Sequence, residues 1–269
     1  MAGTQRLDKI LSNFGYGTRR EVKQLVKQGM VKVDDIPAVD SAMHVNPETS
    51  AIEVNGKKLN YREFIYIMMN KPAGVISATF DNKLKTVVDL LPDEYKVFNP
   101  FPVGRLDIDT EGLLILTNDG PLAHMLLSPK KSVPKTYYAL VDGRVTEEDI
   151  KAFNNGVVLD DGYKTLPAQL KILKQGEQGA HSEIEVIIYE GKFHQVKRMF
   201  ETVGKKVKYL RRMAMGSLVL DENLETGQFR ELTEEENKSL SMVLQATTAI
   251  VSGAAIDIVP EAAADREDD

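Results

Sequence analysis

The stretch GRLDIDTEGLLILTNDG, Gly104 to Gly120, decides how the rest of the chain is read. It packs Arg105, Asp107, Asp109 and Glu111 into seven residues, directly ahead of the apolar run Leu113-Leu114-Ile115-Leu116. Consecutive large apolar residues bounded by turn signals are the pattern of a buried strand. A loop residue at the mouth of such a strand is held rigidly while staying exposed to a cleft. A carboxylate there can act as nucleophile or base, and a nearby guanidinium keeps it ionised and oriented. The same residues also fit a polar turn with two surface aspartates, or the acid pair of a hydrolase. Against the pair, Asp107 and Asp109 stand at i and i+2, a spacing seldom set across a sugar.

The 269 residues suffice for one large domain plus a small one. No apolar run reaches the length of a membrane helix, and MAGTQRLDKI lacks the apolar core of a signal peptide. The chain has no cysteine, which rules out a disulfide framework, a thiolate nucleophile and a cysteine-held metal. A cytoplasmic location fits. His44, His124, His181 and His194 form no HxxxH or HxH pair, so a metal enzyme is not expected, although carboxylate-held magnesium stays open.

The net charge of −6 hides an uneven distribution. Residues 221–269 hold 13 acidic and 3 basic side chains, which leaves the first 220 residues at +4. Within these, Met1 to Lys32 carries 7 basic and 2 acidic residues, and Glu190 to Arg212 carries 8 and 2. Two such clusters suit a phosphate-binding surface. Either one alone reads as a solvated, lysine-rich face.

Near the N-terminus, Leu7, Ile10, Leu11 and Phe14 share one helical face. Thr18 followed by Glu21 is a capping box that opens a second helix, and Arg19, Lys23 and Lys27 line it as a basic stripe. Asn55-Gly56 marks a tight turn. Residues 1–59 thus read as a small module, Asn60 to Tyr66 as a linker, and residues 60–240 as a second domain. In that domain IYIMMNK, GLLILT, KTYYALVDG and SEIEVIIYE read as strands, and PLAHMLL, VTEEDIKAFNN and HQVKRMFETV as helices. The order is not a regular βαβ alternation. The expectation is therefore α+β, with a mixed, mainly antiparallel sheet flanked by helices. Residues 241–269 read as an acidic, Ala-rich tail, disordered at its end.

RLDKILSNFGYGTRREVKQLVKQGMVKVDD resembles an S4 RNA-binding domain, with turn, capping box, basic stripe and terminal strand in that family's order. The resemblance implies that Arg6, Arg19, Arg20, Lys23 and Lys27 face structured RNA through phosphates and shape. The opening stretch in turn resembles the GRLDxxTxGLLLLTNDG signature of the pseudouridine synthases that carry an S4 domain and modify ribosomal RNA. NKPAG at Asn70 to Gly74, KTYY at Lys135 to Tyr138 and EGKFHQVKRMF at Glu190 to Phe200 match in order.

The resemblance implies a cofactor-free isomerase acting on ribosomal RNA or an assembling subunit, with no membrane partner, as a monomer. It makes Asp107 the catalytic aspartate and places Arg105 near the flipped nucleotide or its phosphate. Tyr137 would pack against the target base, and Lys197 would pair with Asp107. SPKK ahead of KTY, together with EGKFHQVKRMF, looks closest to the small-subunit (16S) type. A large-subunit enzyme of the same family, or a non-catalytic assembly protein, is the alternative. Helical geometry independently favours Lys197 over Arg198: Val196, Met199, Phe200 and Val203 define a buried stripe that Lys197 borders and Arg198 faces away from. Arg198, with Lys192, is expected to meet solvent or RNA, and His194 reads as a structural histidine at a strand–helix junction.

Overall fold

The computed structural model describes residues 3–59, 61–176 and 180–240. The expected tail at 241–269 lies outside them, as does Asn60 of the expected linker. The N-terminal part begins with α1 (Leu7–Asn13) and α2 (Arg19–Lys27). The capping box forms: the Thr18 hydroxyl accepts from the Glu21 N–H at 3.4 Å, and the Glu21 carboxylate accepts from the Thr18 N–H at 2.7 Å. β1 (Val31–Val33) pairs antiparallel with β2 (Ile52–Val54), which turns back into β3 (Lys57–Lys58). Asn55 and Gly56 both have left-handed φ, 52° and 75°, the twist a two-residue hairpin needs. Leu7, Ile10 and Leu11 pack with Val22, Val26, Val31 and Ile52 in a core of their own. Arg19, Lys23 and Lys27 are left exposed on α2.

The rest of the chain builds one mixed sheet. Its main elements are β4 (Tyr66–Lys71), β5 (Glu111–Thr117), α3 (Gly120–Leu127), β6 (Lys135–Asp142), α4 (Glu147–Asn155) and β7 (Gln169–Lys174). They continue with β8 (His181–Ile188), α5 (Gln195–Thr202), β9 (Lys206–Met215) and β10 (Phe229–Glu231). The order across the sheet is β7-β8-β6-β9-β5-β4-β10, with short strands at Phe101–Pro102 and Leu218–Val219 at its margins. Among the described strands β9–β5 is the one parallel pairing, so the fold is α+β with a mixed, mainly antiparallel sheet.

The run Leu113–Leu116 is apolar throughout because β5 is covered on both faces. Leu114 and Leu116 join Met69, Phe153, Met199 and Phe200 on the α4–α5 side. Leu113 and Ile115 join Met68, Leu122 and Leu126 on the α3 side. Three of these strands go unread in the sequence, β7, β9 and β10. The segment KVKYLRRMAM of β9 alternates cations with apolar residues, and this masks its central place in the sheet. Phe14, just past α1, packs edge-on to Phe98 with centroids 5.1 Å apart, joining the N-terminal core to the larger sheet.

Candidate active site

The Gly104–Thr110 loop enters β5 and is fastened from behind by the segment that leaves β4. Lys71, fully buried, donates from Nζ to the carbonyls of Pro72 (2.9 Å), Thr110 (3.0 Å) and Asp107 (3.1 Å). The Ser77 hydroxyl donates to the Leu106 carbonyl and accepts from the Leu106 N–H, at 2.9 and 3.0 Å. The NKPAG segment thus holds the Asp107 backbone. Burial pushes the Lys71 ammonium down to about 8, against the opposing pull of Asp107, Asp109 and Glu111. Gly112 sits at φ +102° opposite Arg212, and a Cβ there would lie 2.3 Å from the Arg212 carbonyl oxygen. Only glycine lets β5 and β9 approach so closely.

On this scaffold Lys197, from the first turn of α5, places Nζ 3.1 Å from Asp107 Oδ2 and 2.6 Å from Asp109 Oδ1. Burial alone would lower the pKa of Lys197, but its hydrogen bonds to Asp109 and Asp107 outweigh this and raise it. Burial likewise acts to raise Asp109, and the Lys197 bond holds it below the ordinary carboxylate range. One ammonium therefore serves two carboxylates.

Asp107 also faces His194, whose Nε2 lies 3.5 Å from Oδ1. This departs from the sequence reading of a structural histidine. The imidazole is partly exposed, stacks on the Phe193 ring at 3.7 Å, and stands at φ +48° just before α5. A left-handed non-glycine residue has no signature in side-chain periodicity, so its direction could not be read.

Asp107, Arg105, Tyr137, Lys192 and His194 line one cavity of about 850 Å³. Tyr137 is buried on β6 beside a register shift between Thr136 and Tyr137, the kind of irregularity that re-aims a side chain next to a site. Arg105 is exposed at the mouth. Lys192 lies over the Tyr163 ring, 4.4 Å from its centroid. Buried Glu190 accepts from Tyr163 Oη at 2.6 Å, the Leu166 N–H at 2.9 Å and Gln195 Nε2 at 2.9 Å, joining this rim to the start of α5. Among the described residues no three His, Asp or Glu side chains converge as metal ligands.

Arg198 and Arg6 are engaged rather than free. Arg198 points away from the cavity and pairs with Asp160 and with Asp161, the latter at 2.7 Å. Two acidic residues at a turn distant in sequence gave no local hint of this. Arg6 holds buried Asp8 through one guanidinium edge, donating from Nε at 3.1 Å and from Nη2 at 2.6 Å. Arg20 is exposed with the α2 stripe.

The site is thus a carboxylate fixed by an ammonium in a cleft lined by an aromatic ring, on a mixed sheet that follows a small module with a basic helix in the chain. A family model described as RNA pseudouridylate synthase matches residues 65–202, and one described as S4 domain matches residues 5–49. The chain belongs to the RNA pseudouridylate synthase family. It is 54% identical over 231 residues to an uncharacterized RNA pseudouridine synthase of Bacillus subtilis, covering 86% of this chain and 96% of the relative. It is 41% identical to ribosomal small subunit pseudouridine synthase A of Vibrio cholerae, covering 87% and 99%. A crystal structure of a pseudouridylate synthase aligns with a TM-score of 0.60 at 33% identity, covering 87% of this chain and 99% of that one.

Proposed function

We infer that this chain isomerises a uridine of ribosomal RNA to pseudouridine, with Asp107 as the attacking group and no cofactor. The reaction breaks the N1–C1′ bond, turns the uracil and joins C5 to C1′; C5 gives up a proton and N1 gains one. No oxidant, reductant or group donor enters this balance. The observation that carries the reading is the Lys197 ammonium 3.1 Å from Asp107 in the cavity that Tyr137 lines. It fixes the carboxylate and aims it into the cavity, as a nucleophile requires. Tyr137 packs against the inserted base, and Arg105 meets its phosphate.

The uridine must leave its stack to enter, at a cost of a few kcal/mol. Phosphate contacts by the α2 stripe, Lys192 and the cavity rim offset that cost in a salt-dependent way. The small-subunit (16S) target is favoured by SPKK ahead of KTYY together with EGKFHQVKRMF. Relatives at 41% and 40% identity are named for the small and the large subunit respectively, so a large-subunit target is the competing reading.

The test uses Asp107→Asn and the unaltered protein on separate 16S and 23S transcripts. The unaltered protein should form pseudouridine at one position of the 16S transcript, and Asp107→Asn should bind that transcript without modifying it. Normal turnover by Asp107→Asn overturns the assignment. Modification confined to the 23S transcript overturns the target.

A further inference from the structure

The floor of the cavity carries two cations that no step described so far uses. Arg212 stands directly across the β6–β9 pairing from Tyr137, and Lys135 lies two residues before Tyr137 on β6. Both line the cavity with Asp107. They lie deep, Arg212 2% and Lys135 8% exposed. Arg212 donates from Nε to the Leu113 carbonyl at 2.8 Å, while its Nη2 has no hydrogen-bond partner. Lys135 donates from Nζ to the Val133 carbonyl at 2.9 Å, which leaves two of its hydrogens available. Among the described residues neither is in an ion pair: Glu190, which shares the cavity, is engaged by Tyr163, Leu166 and Gln195. Burial pushes the Lys135 ammonium down to about 8; Arg212 adds to this and Glu190 opposes it.

A buried guanidinium with an unmet donor is costly, and a chain that keeps one beside a second cation has a use for incoming electron density. The depth of the pair decides what arrives. A phosphate stays with its strand at the mouth, where Arg105 and Lys192 are exposed. A flat ring enters edge first and reaches the floor. Uracil presents two exocyclic carbonyl oxygens, both acceptors, whereas cytosine turns an amino group toward the same donors. As the N1–C1′ bond opens, its electron pair stays with the ring, and negative charge builds on those oxygens.

We propose that Lys135 and Arg212 recognise the carbonyl edge of the inserted uracil and hold the charge its ring gains as the glycosidic bond opens. This rests on the pseudouridine reading above. It gives the floor of the site two functions, selection of uracil over cytosine and stabilisation of the leaving ring.

The experiment uses the full chain under single turnover, on 16S and 23S transcripts carrying uridine, 2-thiouridine or 4-thiouridine, with pseudouridine read by mass spectrometry. The unaltered protein should be slowed about tenfold or more by sulfur at one of the two positions, because sulfur is a poor acceptor for a fixed N–H. Lys135→Met and Arg212→Met should each lower the rate on uridine about 10²-fold. Affinity and its salt dependence should be unchanged, and the sulfur penalty should vanish in the variant that faces the replaced oxygen. Equal rates on all three RNAs with the unaltered protein overturn the proposal without any variant. So does a variant that loses affinity and salt dependence at an unchanged rate, since that marks a phosphate contact. No pseudouridine on either plain transcript sinks the reaction itself, a separate outcome.

Discussion

Lys197 Nζ and Asp107 Oδ2 meet at 3.1 Å although one comes from α5 and the other from the loop before β5. The contact joins two segments far apart in the chain and sets the direction of a carboxylate that lines the cavity together with Tyr137. Removing the ammonium while keeping the volume, as in Lys197→Met, should lower single-turnover pseudouridine formation about 10²-fold with little change in RNA affinity. Lys197→Arg should keep most of the rate, since it preserves the charge. Equal loss in both variants would show that shape, and not charge, is what the site needs.

Asp109 shares the same ammonium but is 66% exposed at its side chain. Exposed ion pairs contribute roughly 0.2–1 kcal/mol. Asp109→Ala should therefore slow the reaction less than about fivefold, a factor that range of energies allows. Abolished activity in that variant would point instead to a two-carboxylate hydrolase.

Gly112 lets β5 pack directly against the backbone of β9. An alanine would be strained at φ +102° and would drive its Cβ into the Arg212 carbonyl. Gly112→Ala should destabilise the larger sheet by roughly 3 kcal/mol or more, visible as an earlier urea midpoint by circular dichroism.

Lys71 gives a pH signature. Its ammonium ionises near 8 in the folded chain, against the ordinary 10.5 of an unfolded one. Between those values the unfolded chain holds the extra proton, so this group makes stability rise with pH, on the order of 3 kcal/mol across the window. Below about pH 8 both states are protonated and the burial penalty is present in full. Urea melts at pH 7.5, 9 and 10 should show a steeper rise for the unaltered protein than for Lys71→Met. Parallel curves would refute it.

The α2 stripe should act through phosphates. Replacing Arg19, Lys23 and Lys27 together by alanine should weaken RNA binding and reduce the slope of log K against log salt by about 2 to 3. Arg198→Ala, whose cation already pairs with Asp160 and Asp161, should leave that slope unchanged.

Local signals in the sequence were reliable where the cause is itself local. The Thr18 capping box, the Asn55-Gly56 turn and the choice of Lys197 over Arg198 all follow from backbone geometry within a few residues. The apolar run of β5 is equally plain, because burial on both faces removes every polar position. What stayed hidden depends on partners distant in the chain. β9 is amphipathic in a way that resembles a basic surface segment until its pairing with β5 and β6 is seen. Lys71 and Arg212 look like surface cations until the loop and strand they serve close over them. His194 takes its direction from a left-handed backbone that side-chain pattern does not encode.

The parallel joint between β5 and β9 also bears on when the protein becomes competent during its own synthesis. The N-terminal helix pair emerges first, and the fully buried members of its core are all present by Val54. Asp107 follows with neither its ammonium nor the strand that seats it. Only after Met215 has left the ribosome can β9 slide between β5 and β6 and close the pocket. A chain stalled before that point carries Asp107 beside an unfinished sheet, so the pocket is among the last parts of the molecule to be assembled.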